Sequence, residues 1–467
     1  WGLIAAAKKA DLDLFYGSYP ITPASDILHE LSKHKNFNVI TFQAEDEIAA
    51  AAASVGASFT GKLAVTGTSG PGLALKSETI SLALSAELPL VIVNVQRGGP
   101  STGLPTKPEQ SDLMFALYGR HGESPLPVVA AKSPSHAFYA AYEAARIALK
   151  YMTPVILLSD NYVATGSEPW NLPNIKELNN LETNIITKLN TEDGFLPFLR
   201  NVDTFARPWA LPGTPGLEYR VGGLEKEEGT GNVSYDAANH QYMTDMRAWK
   251  ISNIANDIDK LEIHGDESAD TLVLGWGSTY GGITQAVNRL NEKGVKVASA
   301  HFVHLNPFPD NTQELLSKFK QIIIPELNTG QLLKLVREAF LVDARGINKV
   351  AGDDPQQVAE LLGALGFYMF AVIIGLIIHM SITYTSLLKL YVKMPLRTFF
   401  TGIGPAQLLA FSTSSSGATL PVTMERCEDE LGVSEEVSSF VLPLGATINM
   451  DGTALYQAVA AVFISQA

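Results

Sequence analysis

The chain changes character part-way along. From residue 361 to residue 388 there is not one Asp, Glu, Lys or Arg, a run of 28 residues. About 20 apolar helical residues cross a bilayer core, so the run is long enough to span one. A buried core helix is the competing reading, and the run is too long for it. Lys389, Lys393 and Arg397 follow directly. Basic residues beside a span favour the cytoplasmic side. His379, inside the run, reads as a packed polar residue. Up to residue 352 the sequence instead has the pattern of a soluble α/β protein. The two parts meet at NKVAGDD (348–354) with no tapering linker.

A length of 467 residues predicts roughly two to four domains. The formal charge of −14 and the pI near 5.1 argue against a nucleic-acid partner. The single cysteine, Cys427, excludes an internal disulfide and an iron–sulfur cluster ligated by cysteines of this chain alone. It accords with a reducing compartment. Trp1 is not a start residue, so the expectation is an N-terminus lacking its beginning, with no signal peptide visible.

Within residues 1–170, apolar β-rich runs at 12–16, 38–42, 62–66, 90–95 and 153–159 alternate with helical patterns at 24–34, 45–60 and 135–151. That alternation predicts a mostly parallel sheet covered by helices on both faces. The helical stretch 48–57 is Ala-rich, so something can pack close to it. Residues 171–269 form an irregular connecting region, rich in Pro, Gly, Asn and charge as far as 257. Residues 270–352 carry a second α/β block. Its expected strands are 271–274, 296–299 and 321–325, and its expected helices are 282–293, 312–319 and 330–340.

Four loops of the first block carry chemistry. In YPITPAS (19–25), Thr22 is a natural N-cap and Pro23 suits a first helical position. The loop is either a capped helix start or a set of backbone donors and a hydroxyl facing an anion. In QAEDE (43–47) the acidic residues are either dipole partners of a first helical turn or functional carboxylates. GTSGPG (67–72) allows tight turns and close backbone approach. It is not a dinucleotide fingerprint. QRGGPSTGLPT (96–106) places Arg97 at a strand end, where it is either solvated or set to bind a carboxylate. All four loops follow strands, so all lie along one edge of the sheet.

Together these loops, with GGLEKEEGTGNVSYDAANHQYMTDMRAWKI (222–251) and LNTGQLLKLVREAFLVDARGINKV (327–350), resemble the α subunit of 2-oxoacid:ferredoxin oxidoreductases, the 2-oxoglutarate type in particular. The likeness covers residues 2–352. It implies a thiamine diphosphate enzyme, with a pyrimidine-binding domain over 1–170 and a transketolase C-terminal-like domain over 270–352. By the same resemblance Glu47, rather than Glu45, is the carboxyl that hydrogen-bonds the cofactor's aminopyrimidine. Tyr19, Pro20, Ile21 and Gly70 belong to the cofactor-binding set. Arg97 pairs with the carboxylate of the 2-oxoacid, with Thr22 and Thr102 as hydroxyl partners. The sequence lacks the GDG and following Asn that hold diphosphate and Mg²⁺. The near match at 450–452 lies in the apolar part. In the resembled family a β subunit supplies that motif and a [4Fe-4S] cluster, so this chain would form half of a shared site. Coenzyme A and ferredoxin would be the further partners. The family's extra domain before the first strand is not visible here. The implied location of residues 1–352 is cytoplasmic.

GWGSTYGG (275–282) has Tyr280 where a dinucleotide fingerprint needs its third glycine, so a strand–turn–helix is expected there. His301 and His304, near a strand end, read as structural.

In the apolar part, FSTSSSGATLP (411–421) is short and polar and ends in Pro. It reads as the tip of a re-entrant hairpin over about 402–421, with backbone lining a cavity. TINMDGT (447–453) places Asn449 and Asp451 in an apolar stretch. Intramembrane carboxylates are functional by default, and a discontinuous helix over about 437–467 would free carbonyls for a cation. Both motifs resemble the dicarboxylate/amino acid:cation symporter family, the glutamate transporters. The resemblance implies that Ser415 and Ser416 lie beside the substrate. Gly445, Asn449 and Asp451 would be Na⁺ ligands, and Thr447, Met450 and Thr453 would line the substrate and ion sites. Residues 353–467 hold only part of that family's pattern, so the expectation is an inner-membrane segment that does not transport by itself. The whole chain reads as a chimera of two truncated genes, the product of assembly rather than a natural bifunctional protein.

Overall fold

The computed structural model describes residues 1–178, 180–350, 373–392, 394–413 and 416–448. The chain divides into two compact units, Trp1–Gly352 and Asp353–Ala467.

The first unit begins with six parallel strands: β1 (Leu14–Ser18), β2 (Val39–Gln43), β3 (Leu63–Thr68), β4 (Leu90–Gln96), β5 (Val128–Ala130) and β6 (Pro154–Asp160). Every residue of β3 and β4 is buried. Strands of a parallel sheet covered on both faces read as continuous apolar runs, as LVIVNV in β4 does. The covering helices are α1 (Gly2–Ala10), α2 (Ser25–Leu31), α3 (Glu47–Phe59), α4 (Gly70–Leu75), α5 (Ser77–Ser85), α6 (Leu113–Tyr118), α7 (His136–Tyr151) and α8 (Asn161–Thr165). Leu3, Ile4, Ala144 and Ile147 of α1 and α7 pack with Leu63, Val65 and Val91 on one face. Val55, Ile80 and Leu84 of α3 and α5 pack with Ala64, Leu90 and Ile92 on the other.

The connecting region contains the short parallel pair β7 (Ile185–Ile186) and β8 (Trp209–Ala210) and a 17-residue helix, α9 (Ala237–Asn253). That helix corrects the expectation of an irregular region through 257. Asp236 caps it, accepting from the Asn239 amide at 2.8 Å. Four cations fasten the region to the α5–β4 corner. Arg200 and Lys250 both bond the carboxylate of buried Glu87. Arg207 Nε donates to the Ala86 and Glu87 carbonyls at 3.1 Å, and Lys226 Nζ donates to Ser85 O at 3.2 Å. Burial alone would raise the Glu87 carboxyl, but the two cations overcome it and hold it at about 2.

The second sheet contains β9 (His264–Gly265), β10 (Thr271–Trp276), β11 (Ala298–Phe302), β13 (Gln321–Glu326) and β14 (Ala344–Asn348), in the order β14-β13-β10-β11-β9. The remaining strand, β12 (His304–Asn306), leaves this block and pairs antiparallel with β5. The first sheet is therefore seven-stranded, in the order β12-β5-β6-β4-β3-β1-β2. Helices α10 (Tyr280–Glu292), α11 (Thr312–Ser317) and α12 (Gln331–Phe340) complete the block. Gly277, at φ +57°, turns the end of β10 toward α10, the strand–turn–helix expected of 275–282.

A buried polar seam joins the two sheets. Gln110 donates to Trp276 O at 2.8 Å and accepts from the Leu327 amide at 3.1 Å. Asn328 donates to Gln110 O at 2.8 Å, and Gln331 accepts from the Met114 amide at 2.9 Å.

In the second unit, helix Ile373–Val392 is long and apolar enough to cross a membrane and is almost wholly exposed. Helices Leu396–Thr413, Ser416–Asp429 and Glu435–Ile448 follow, with Pro405, Pro421 and Pro443 inside them. Arg426 Nε, on the middle helix, donates to Gly402 O at 3.0 Å. The polar stretch 411–421 is thus largely helical, with residues 414–415 outside the described set.

Candidate active site

The site lies at the C-terminal ends of β1, β2, β3 and β4, where the four loops converge. The Ala44 amide donates to Ser18 O at 2.7 Å, and Tyr19 packs with Ala44, Ala50 and Ile21. The 19–25 loop is thereby held against the start of α3. Asp46 caps α3, accepting from the Ala49 amide at 2.8 Å. With Asp46 occupied, Glu47 is the half-buried carboxyl of the first turn, while Glu45 is exposed.

Thr22 is not an N-cap. Its peptide bond to Pro23 is cis, and α2 begins only at Ser25 with Ala24 as its N-cap. The Ser25 hydroxyl closes the turn instead, accepting from the Ile21 amide at 2.9 Å and donating to Ile21 O at 3.0 Å. What Thr22 brings to the site is its carbonyl, which accepts from Arg97 Nη1 at 2.5 Å. This bond ties the 19–25 loop to the 96–106 loop.

Arg97 is buried, and Nε has no partner among the described residues. Nor does Arg97 form an ion pair there. An uncompensated buried guanidinium is costly unless an anion completes it. Thr102 stands at the exposed tip of its loop, which the Leu104 amide closes on Gly98 O at 2.7 Å. No hydrogen bond among the described residues joins Thr102 to Glu47, Tyr19 or Thr22. Pro20 is exposed beside Tyr19.

The Tyr19 hydroxyl bonds Thr68 Oγ1 at 3.0 Å. Its phenol is pushed up to about 12, first by burial, with Glu47 adding and the Thr68 bond and Arg97 opposing. The glycine turn makes room for this. A Cβ on Gly72 would lie 2.0 Å from the Tyr19 hydroxyl, and one on Gly67 would lie 1.9 Å from that of Tyr16. Gly70 faces Asp112, whose carboxylate accepts from Asn94 at 2.9 Å and whose amide donates to Gln96 Oε1 at 3.0 Å.

Beneath Tyr19 lies Lys76, which sequence reasoning missed. It is fully buried, with Nζ 2.7 Å from Thr66 Oγ1, 2.9 Å from Gly67 O and 5.2 Å from the Tyr19 ring centre. Its only signal in the sequence is a lone lysine within the apolar stretch 63–95.

The rim of the site is open and apolar. Ile40 and Phe42 on edge strand β2, Ile48 on α3 and Leu75 at the end of α4 are each 40% exposed or more. Ala49, Ala52 and Gly56 leave the adjoining face of α3 exposed. A separate cleft of about 780 Å³, lined by Lys132, His136, Glu143, Tyr280, His301 and His304, contains none of the expected site residues. There His301 bonds Gly277 O at 2.9 Å and His304 bonds Glu143 at 3.1 Å.

In the second unit, Gly445 and Thr447 lie in helix Glu435–Ile448 and Ser416 begins helix Ser416–Asp429. Ser415, Asn449, Met450, Asp451 and Thr453 lie outside the described residues.

A doubly covered parallel sheet carries an acidic first helical turn, a glycine turn and a buried arginine at one edge, an α/β domain with a site open to an anionic ligand. The family profile for the thiamine-diphosphate-binding part of pyruvate flavodoxin/ferredoxin oxidoreductase matches residues 5–234. That for core domain II of pyruvate:ferredoxin oxidoreductase matches 269–358, and that of the sodium:dicarboxylate symporter family matches 353–467. The 2-oxoglutarate oxidoreductase subunit KorA of Mycobacterium tuberculosis is 50% identical over 80% of this chain and 56% of its own length. The 2-oxoglutarate synthase subunit KorA of Archaeoglobus fulgidus is 33% identical over 72% of this chain and 88% of its own. The solved 2-oxoglutarate:ferredoxin oxidoreductase of Magnetococcus marinus, with 2-oxoglutarate, coenzyme A and succinyl-CoA bound, is 32% identical with a TM-score of 0.69. That match covers 78% of this chain and 63% of that one. The chain belongs to the α-subunit family of the 2-oxoacid:ferredoxin oxidoreductases, and the segment that follows the oxidoreductase part is similar to the sodium:dicarboxylate symporter profile. It spans little more than half the length of the mycobacterial relative.

Proposed function

We propose that residues 1–352 act as the α subunit of a thiamine-diphosphate-dependent 2-oxoacid:ferredoxin oxidoreductase, with 2-oxoglutarate as the substrate. The observation that carries this reading is the buried, unpaired Arg97 guanidinium, tied by Thr22 O to the loop beside Glu47. The 2-oxoacid's carboxylate is the anion that completes it. The open carboxyl of Glu47, set in an apolar rim, fits a heteroaromatic ring held between this chain and a second one.

Bound thiamine diphosphate supplies an electron sink for the decarboxylation. Glu47 holds and returns a proton at its carboxyl oxygen, toward the cofactor's pyrimidine ring. Tyr19, fixed by Thr68 and Gly72, supports the cofactor side of the site, with Pro20, Ile21 and Gly70 shaping it. Thr22 and Thr102 present hydroxyls to the substrate, and Arg97 orients its carboxylate. A β subunit covers the apolar rim and brings the diphosphate and Mg²⁺ site and the [4Fe-4S] cluster. Coenzyme A takes the acyl group and ferredoxin takes the electrons. The location of residues 1–352 is cytoplasmic.

Co-expression of the full chain with a β subunit of this family tests the reading. The expected result is a stable complex that reduces viologen dye with 2-oxoglutarate and coenzyme A only when thiamine diphosphate is present. A stable complex with no thiamine-dependent rate would refute it.

For residues 353–467 we propose membrane association and no transport by this chain alone. The exposed apolar helix Ile373–Val392 supports it. In the symporter reading Gly445, Asn449 and Asp451 would bind Na⁺, with Ser415, Ser416, Thr447, Met450 and Thr453 around the substrate. The full chain should stay with membranes through an alkaline carbonate wash and show no Na⁺-dependent aspartate binding in detergent. Release by carbonate, or saturable Na⁺-dependent binding, would overturn the proposal.

A further inference from the structure

We propose that Lys76 is a positioning residue, the buried counter-charge of Glu47, and that its amine gains or loses a proton as the charge on Glu47 changes. The inference rests on the assignment of Glu47 to the site.

The geometry is unusual for a lysine. Lysines are almost never fully buried unless paired. Lys76 is fully buried, yet among the described residues it forms no ion pair. Its partners are the Thr66 hydroxyl and the Gly67 carbonyl, at 2.7 and 2.9 Å. Both are neutral, and both belong to the strand end that leads into the glycine turn. The Tyr19 ring lies over Nζ at 5.2 Å, and its hydroxyl end interacts with Glu47 and Thr68. The same ring that the amine meets also packs against Ala50, one turn along the helix that Glu47 begins. No solvent reaches the amine to screen that charge.

Two charged forms are in balance here. Burial lowers the Lys76 amine to about 7, and Glu47 acts in the opposite direction. Burial favours the neutral amine and a nearby carboxylate favours the ammonium, so the protonation of such a group responds to changes in that neighbour. When Glu47 is ionised, the ammonium form is favoured. When the Glu47 charge is lost, the neutral amine is favoured. Lys76 cannot reach a bound substrate, because Tyr19 and the glycine turn cover it. Its influence on the reaction passes through Glu47 and through the backbone of the turn that it holds.

A direct titration of Lys76 in the full chain tests this without cofactor, partner or turnover. The lysines are labelled with ¹³C at Cε, and the Lys76 resonance is assigned by its loss in Lys76→Arg. If Lys76→Arg does not fold, Lys76→Met serves for assignment, since methionine fills a similar apolar volume. The resonance is then followed with pH in the wild type and in Glu47→Gln, a change at a half-buried helix start. The expected result is a midpoint near neutrality that falls by about half a pH unit or more in Glu47→Gln. An unchanged midpoint would overturn the coupling, as would an ordinary lysine midpoint in the wild type. Failure of the thiamine reading would leave this result untouched, because it appears only in the reconstituted complex.

Discussion

Gly67 shows how narrowly single residues define the site. Its backbone passes so close to Tyr16 that an added Cβ would sit 1.9 Å from the phenol oxygen. Tyr16 is fully buried on β1 and has nowhere to retreat. Gly67→Ala should therefore destabilise the first unit by about 1–3 kcal/mol through overpacking. Adding Tyr16→Phe removes the colliding oxygen, so the double variant should recover much of that loss. Chemical denaturation of the two single variants and the double variant measures the coupling. Strict additivity of the two changes would show that the collision is relieved elsewhere. Arg97 illustrates the opposite situation, a residue whose surroundings fix it while leaving it without an ion pair among the described residues, the Asp112 carboxylate acting on it without pairing. Its Thr22 contact is to a carbonyl, which takes one hydrogen bond and no charge.

At the scale of elements, what was legible depended on burial. The strands β1, β3, β4 and β6 stood out because central parallel strands carry apolar runs, and edge strand β2 stood out by its β-branched and aromatic residues. Strand β12 did not. It has three residues, HLN, and its pairing with β5 is long-range and antiparallel, so no local periodicity marks it. Helix α9 was missed for a related reason. Only Met243, Met246, Lys250 and Ile251 of its 17 residues are buried, and the charged ones among its neighbours act by bonding Glu87 and Glu225 rather than by forming an apolar stripe. Thr22 misled because Thr-Pro is a good N-cap pattern locally. The tertiary bond from Arg97 and the Ser25 turn place the helix start later. Of the candidate site, Arg97 stood out by its place at a strand end, whereas Glu47 was distinguished from Glu45 only by the family resemblance. Lys76 did not stand out, since nothing in LALKS distinguishes a buried amine from a surface one. The Gln110 seam was equally hidden, because its partners Trp276, Leu327 and Asn328 lie more than 150 residues away in sequence.

At the scale of the whole molecule, one reading frame joins two kinds of solvent compatibility. The first unit surrounds two buried cores with a charged surface. The second exposes Ile373, Ile377, Ile378, Ile382 and Leu390 along one helix. In water, an apolar face of that kind requires a partner or a membrane. In the proposed function, a second chain encloses the rim of the first unit, where Ile40, Phe42, Ile48 and Leu75 are exposed. The central claim is that the functional carboxyl of this site is Glu47. The most direct test compares Glu47→Gln with Glu45→Gln in the full chain reconstituted with a β subunit. The account predicts that Glu47→Gln lowers thiamine-dependent 2-oxoglutarate oxidation by roughly 100-fold or more, as expected for loss of a general acid–base group, while Glu45→Gln stays close to wild type. Near-normal turnover in Glu47→Gln, with the loss appearing in Glu45→Gln or in neither, would contradict it.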